Sequence, residues 1–174
     1  MRPFSLIVSC SENRIIGRAG RLPWSIPEDR RFFNVQTAGG IVVLGRVCFD
    51  TWPGALREGR RAVVVTSRPL ATAKGLQAAR SLPEALAAAE GLPGDIYVCG
   101  GQKIFEEAMP RPEARRLYLT LVHASVEGDR SFPDWRAAFP RELARRESAD
   151  PNWRYTFFTL GRAEESRRPG ARAP

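Results

Sequence analysis

Residues 22–33 read Leu22-Pro23-Trp24-Ser25-Ile26-Pro27-Glu28-Asp29-Arg30-Arg31-Phe32-Phe33. Pro23 and Pro27 fix their own φ and push Leu22 and Ile26 toward extended conformations. Pro27 suits the first turn of a helix, so a helix is expected to start at about Glu28. Asp29 and Phe33 stand four apart and rise on one helix face, with Phe32 close by. One carboxylate is thereby set among large apolar groups, beside a tryptophan held by a stiff turn. Burial of that kind raises a carboxyl pKa, the condition for handling protons near neutral pH. The same residues also fit a plainer reading, in which an acid in the first turn only favours the helix dipole.

Apolar, β-rich runs flank this stretch and alternate with helix-like segments. Strands are expected at Phe4–Cys10, Ile41–Leu44, Ala62–Thr66 and Asp95–Cys99. The helix from Glu28 should end at Gly39-Gly40, a short helix should follow Gly45-Arg46, and another should run from about Gln102 to Ala108. Ser81 with Glu84 three residues on makes a capping box for an Ala-rich helix to about Glu90. After Pro110-Arg111-Pro112 the pattern changes to strands at Arg116–Val122 and Trp153–Leu160, with a loop-rich stretch between. A βαβ series closed by strands is an α/β fold with a mostly parallel sheet.

The chain has 174 residues, 43% hydrophobic and 26% charged, which fits one domain with a substantial core. No apolar run approaches the roughly 20 residues that cross a bilayer. Met1-Arg2-Pro3-Phe4 enters a strand-like run without a signal-peptide pattern, so no membrane association and a cytoplasmic location are expected. Cys10, Cys48 and Cys99 lack metal-ligand spacing, and no metal site is expected. The single histidine, His123, lies in a strand-like alternation, which leaves little room for triad chemistry. The net charge of +8, nearly all from arginine, attracts anions. The arginines are scattered and no nucleic-acid motif accompanies them, so a phosphorylated small molecule is favoured over specific nucleic-acid binding. The segment from Arg162 to Pro174 has the composition of a solvated tail.

Three strand ends carry anion-suited residues: Leu44-Gly45-Arg46, Thr66-Ser67-Arg68 and Cys99-Gly100-Gly101-Gln102-Lys103. Ligands of open α/β sheets bind beyond the carboxyl ends of strands, where glycines let backbone N–H groups approach phosphates. Each turn alone is a weak signal, and a tight turn explains any one of them. Three at corresponding strand ends fit one long polyphosphate cofactor.

In order along the chain, Ile16-Gly17, Leu22-Pro23-Trp24, Pro27-Glu28-Asp29, Phe33, Gly45-Arg46, Gly59-Arg60, Gly100-Gly101, Tyr118-Leu119-Thr120, Glu127-Gly128-Asp129 and Phe132-Pro133 resemble the dihydrofolate reductases. The resemblance covers about Phe4 to Gly161 and implies one catalytic domain over residues 1–161. It implies a central mixed, mostly parallel eight-stranded sheet with flanking helices, and NADPH-dependent reduction of 7,8-dihydrofolate to tetrahydrofolate by a monomer. It implies that Asp29 binds the pterin and supports protonation of N5, with Thr120 bonded to that carboxylate. Trp24 would hold an ordered water near the acid, and Leu22 would sit on a mobile loop, about Ser11–Ser25, over the nicotinamide. Ile7, Phe33 and Cys99 are expected to line the substrate, and Arg60 to pair with the α-carboxylate of its glutamate. Ser9, Ile16, Gly17, Gly45, Arg46, Val47, Cys48, Thr66, Ser67, Arg68, Gly100, Gly101, Gln102, Lys103, Ile104 and Phe105 are expected around the cofactor. The Gly100–Gly101 bond should be cis.

The chain departs from the family pattern at Cys48, where a threonine is frequent, and at Phe105, where a tyrosine is frequent. The sharpest departure is Arg30, directly after Asp29, where the family usually carries an apolar residue. Either Arg30 is a surface arginine, or it points along the substrate cleft and joins Arg60 in attracting the glutamate carboxylates. Two other functions compete: a reductase of riboflavin-synthesis type, which generally lacks the Trp24 and Asp29 pair, and a basic nucleic-acid binder.

Overall fold

The computed structural model describes residues 1–163. In chain order the elements are β1 (Phe4–Ser11), β2 (Ile15–Gly17), α1 (Pro27–Thr37), β3 (Ile41–Gly45), α2 (Arg46–Asp50), β4 (Arg61–Val65) and β5 (Leu76–Ala79). They continue with α3 (Leu82–Glu90), β6 (Ile96–Gly100), α4 (Gln102–Ala108), β7 (Ala114–Val122), β8 (Arg130–Ser131), β9 (Arg141–Ala149) and β10 (Arg154–Gly161). An eight-stranded sheet has the order β5-β4-β3-β6-β1-β7-β10-β9, and β2 pairs with β8 in a small second sheet. The strands from β5 to β7 run parallel, while β10 is antiparallel to both neighbours.

The continuous apolar runs become the central strands, because only a strand covered on both faces buries every residue. Ile41, Val42, Val43 and Leu44 are buried throughout. On one face Leu6, Val43, Val63 and Val98 pack against Leu82 and Leu86 of α3 and Phe105 of α4. Each such side chain contributes about 1.5–3 kcal/mol through burial. On the other face Val42, Leu44, Ala62 and Val64 meet Phe49, Trp52 and Leu56. The α3 cap is as expected at Ser81, whose Oγ accepts from the Glu84 N–H at 3.3 Å. The Glu84 carboxylate reaches the Arg80 N–H at 2.9 Å, one residue before the usual partner. Beyond α1, Gly39 takes φ +69°, as the expected helix end there requires.

One expectation is corrected. The stretch between Val122 and Trp153 is not simply loop, since β8 and β9 lie within it. β9 reads Arg-Glu-Leu-Ala-Arg-Arg-Glu-Ser-Ala and is exposed everywhere but Ser148. A strand with no buried face carries no alternation to read. The chain also stays bound to the fold past Gly161, because the Arg162 guanidinium donates to the carbonyls of Met109 at 2.9 Å and Pro110 at 3.1 Å. The rest of the expected tail lies outside the described residues. Among those described, no helix is long and apolar enough to cross a membrane.

Candidate active site

Asp29 lies in the first turn of α1 and is buried, with 8% of its surface exposed. Burial raises its pKa above the ordinary aspartate value, opposed by hydrogen bonds from Thr120 and Ser9 and by the charge of Arg30. Ser9 on β1 and Thr120 on β7 are direct register partners, so both hydroxyls leave the sheet at one level. The Trp24 indole Nε1–H donates to Ser9 Oγ at 3.1 Å. Ser9, expected among the cofactor residues, therefore belongs to the acid's own network. Trp24 reaches the carboxylate through that hydroxyl. Ile7 is buried in the same strand, two residues before Ser9.

Glu28, the neighbour of Asp29, was not singled out by the sequence. Its carboxylate accepts from Arg146 and Ser148 at 2.6 Å and from the Tyr155 hydroxyl at 2.7 Å. These bonds lower its pKa to about 2. They also tie the start of α1 to β9 and β10, which holds the turn that carries Asp29 against the sheet. The partners lie more than a hundred residues away, so no local signal marks them.

Phe33 leads to the second charged position. Its ring meets Trp52 edge-on at 4.9 Å, and the Arg60 guanidinium lies 5.0 Å from the Trp52 ring centre. The Arg60 side chain is 1% exposed and bonds the carbonyls of Gly54 and Asn34 and the carboxylate of Glu58. Trp52 thus links two residues the sequence had placed at the substrate. Arg30 is exposed, and with Arg31, Asn34, Val35 and Glu58 it borders a groove along α1.

The three anion-suited turns sit at the carboxyl ends of neighbouring parallel strands β4, β3 and β6. Both α2 and α4 begin at a glycine, Gly45 and Gly101, with no side chain capping the first N–H groups. Such open N-termini suit a pyrophosphate. The Gly100–Gly101 bond is cis. A β-carbon on Gly100, at φ +114°, would lie 3.0 Å from Phe105. The Cys48 sulfur adjoins the same two glycines, and burial raises its thiol pKa, as it does that of Cys99. Ser67, Arg68 and Lys103 are exposed, and Thr66 Oγ1 accepts from the Arg68 N–H at 3.1 Å. The chain thus offers backbone donors, hydroxyls and cations where an anionic cofactor would lie.

Four side chains expected at the cofactor are directed elsewhere. Arg46 Nε donates to Asp50 at 2.8 Å, an i,i+4 pair, and its NH1 to the Pro69 carbonyl at 2.9 Å. Gln102 accepts from the Ser131 N–H at 2.9 Å and donates to Glu106 at 2.8 Å, which binds α4 to β8. Ile104 and Phe105 point into the core, because the inner face of α4 must cover the sheet. They lie behind Gly45 and Gly100.

The segment of residues 11–25 is held by Asp129. The Asp129 N–H donates to the Gly17 carbonyl at 3.0 Å, and the Asp129 carboxylate accepts from the Ala19 N–H at 3.2 Å. Ile16 and Gly17 fall in β2, and Ile16 packs on the main core. A β-carbon on Gly20 would lie 3.8 Å from Val47 Cγ1. Leu22 and Val47 are 50% and 57% exposed, leaving two large apolar side chains open to solvent.

The family model described as dihydrofolate reductase matches residues 3–162. The chain belongs to the dihydrofolate reductase family. It is 40% identical to the dihydrofolate reductase type 3 of Salmonella typhimurium over 161 residues, covering 91% of this chain and 97% of that one. Identity to the dihydrofolate reductase of Neisseria gonorrhoeae is 36% over 162 residues, covering 90% and 96%. The structure of the Enterococcus faecalis dihydrofolate reductase, complexed with NADP(H) and RAB-propyl, superposes with a TM-score of 0.81 at 29% identity, covering 93% and 97%. This reductase is an NADPH-dependent oxidoreductase that converts 7,8-dihydrofolate to tetrahydrofolate.

Proposed function

We propose that Asp29 is the group of this reductase that binds the pterin and favours protonation of its N5. The observation carrying this reading is the burial of Asp29 with hydroxyl donors from two adjacent strands. A carboxyl that stays protonated to higher pH can hold and pass a proton, and protonation makes the imine a better hydride acceptor. NADPH, when bound, supplies the hydride to pterin C6. Ser9 and Thr120 orient the carboxylate, and Trp24 fixes Ser9. Leu22 and Val47 cover the reacting rings and exclude water. Phe33 packs on the substrate, with Ile7 and Cys99 on the sheet side. Arg60 receives the α-carboxylate of the glutamate, a bidentate task for which a guanidinium is shaped. The uncapped starts of α2 and α4 take the pyrophosphate, with Ser67, Arg68 and Lys103 at the phosphates. Cys48 lines the cofactor side without a hydroxyl.

The loss of NADPH absorbance with dihydrofolate, compared between wild type and Asp29→Asn, tests the assignment. Turnover is expected for wild type and a loss of about 10²–10⁴-fold for the variant. Equal rates would remove Asp29 from the mechanism. We take the working unit to be a cytoplasmic monomer without specific nucleic-acid binding. Light scattering on the purified protein checks the first, and salt-resistant retention on DNA would contradict the last.

A further inference from the structure

Glu58 is the unexplained neighbour of Arg60. It is one of three non-glycine residues with positive φ, at +56° among the described residues, and Gly59 after it has φ +73°. The Gly39 N–H donates to the Glu58 carbonyl at 2.9 Å, which pins this left-handed turn to the end of α1. The turn folds the Glu58 side chain back, and its Oε2 accepts from Arg60 NH1 at 3.0 Å. Glu58 is 52% exposed at the side chain, whereas Arg60 is 1% exposed.

The remaining donors of Arg60 are largely committed. Nε and one N–H of NH2 go to the Gly54 carbonyl at 3.3 and 2.8 Å. NH1 also serves the Asn34 carbonyl at 3.1 Å and Thr37 Oγ1 at 3.4 Å. Bidentate capture of a carboxylate needs two adjacent N–H groups. With Glu58 in place, a single N–H of NH2 is left. A buried guanidinium is costly without a counter-charge, so an acid that reaches it from the water side holds that position readily.

We propose that Glu58 is a specificity determinant that competes with the substrate's glutamate α-carboxylate for Arg60. Binding of the tail is then an exchange, in which Glu58 swings into solvent as the substrate carboxylate takes its N–H. Ligands without a carboxylate tail need no exchange. Arg30 and Arg31 border the same groove as Glu58, so the displaced acid stays near two cations. This inference rests on the reading of Arg60 as the tail receptor.

Steady-state kinetics of Glu58→Gln and Arg60→Lys with dihydrofolate, and with 6-methyl-7,8-dihydropterin as a tail-less substrate, separate the two. Glu58→Gln should lower KM for dihydrofolate by roughly two- to five-fold relative to the tail-less substrate, the range of a half-exposed ion pair. Glu58→Asn, which also tolerates positive φ, should act in the same direction. An unchanged or raised relative KM in both variants, with Arg60→Lys raising it, overturns the competition alone. An unchanged relative KM in Arg60→Lys overturns the Arg60 reading itself.

Discussion

The Trp24 indole N–H and the Asp29 carboxylate meet at one hydroxyl, that of Ser9, with Trp24 Nε1 3.1 Å from Ser9 Oγ. Ser9→Ala leaves the indole without its acceptor and removes a bond that favours the charged acid. The pKa of Asp29 should rise further, moving the pH profile of single-turnover hydride transfer to higher pH. Stability should fall by about 1 kcal/mol. A profile that does not move would separate Ser9 from the acid.

Asp29→Asn should cost activity and gain stability. The carboxyl of Asp29 has a higher pKa folded than unfolded, because burial penalises its charge. The folded state thus binds the extra proton, and stability is lost as pH rises through the folded pKa. An uncharged isostere escapes this loss. Thermal melts should show a higher Tm for Asp29→Asn at pH 7, with the gap closing as pH falls toward about 4.

Glu28 has the opposite sign. Its pKa falls from 4.5 to about 2 on folding, so its contribution is complete above pH 4.5 and fades as pH falls through about 2. Glu28→Gln should destabilise the protein by about 1 kcal/mol at pH 7, a value discounted for partial exposure. The difference from wild type should shrink in urea titrations at progressively lower pH.

Gly128 marks where two loops touch. A β-carbon there would collide with Ile15 Cγ2 and the Gly17 carbonyl, beside the Asp129 to Gly17 hydrogen bond. Gly128→Ala should push residues 15–17 away and slow hydride transfer by roughly tenfold, as small displacements at positioning loops do. Pre-steady-state rates with NADPH and dihydrofolate would show it, and an unchanged rate would mean that the contact is only structural.

Arg30 borders the groove beside Glu58 and lowers the Asp29 pKa through its charge. Arg30→Leu should raise KM for dihydrofolate roughly two- to five-fold. It should leave inhibitors without a glutamate tail bound as well or better. Unchanged values for both ligands would make Arg30 a surface residue.

The central strands were legible because burial on both faces leaves unbroken apolar runs, as in Ile41–Leu44. The helix at Pro27 was legible from its prolines, and Asp29 from the aromatic residues around it. The short edge strand β5, Leu76–Ala79, was missed because it has only one fully buried residue, Ala79. The Glu28 network joins residues 28, 146, 148 and 155, which only the folded sheet brings together. The bonds of Arg46 to Asp50 and of Gln102 to Ser131 and Glu106 were not legible, because turn sequence shows where a side chain starts but not which nearby carboxylate or amide it meets.

The outermost strand has a bearing on how the protein behaves when concentrated. Among the described residues, β9 stands last in the sheet order, with no further strand beyond it. An apolar edge of nine residues would template pairing with other chains. Here Arg141, Glu142, Arg145, Arg146 and Glu147 crowd the edge with alternating blocks of charge. An approaching strand would have to bury them, so the sequence that conceals β9 from pattern reading also guards this reductase against fibrillar growth.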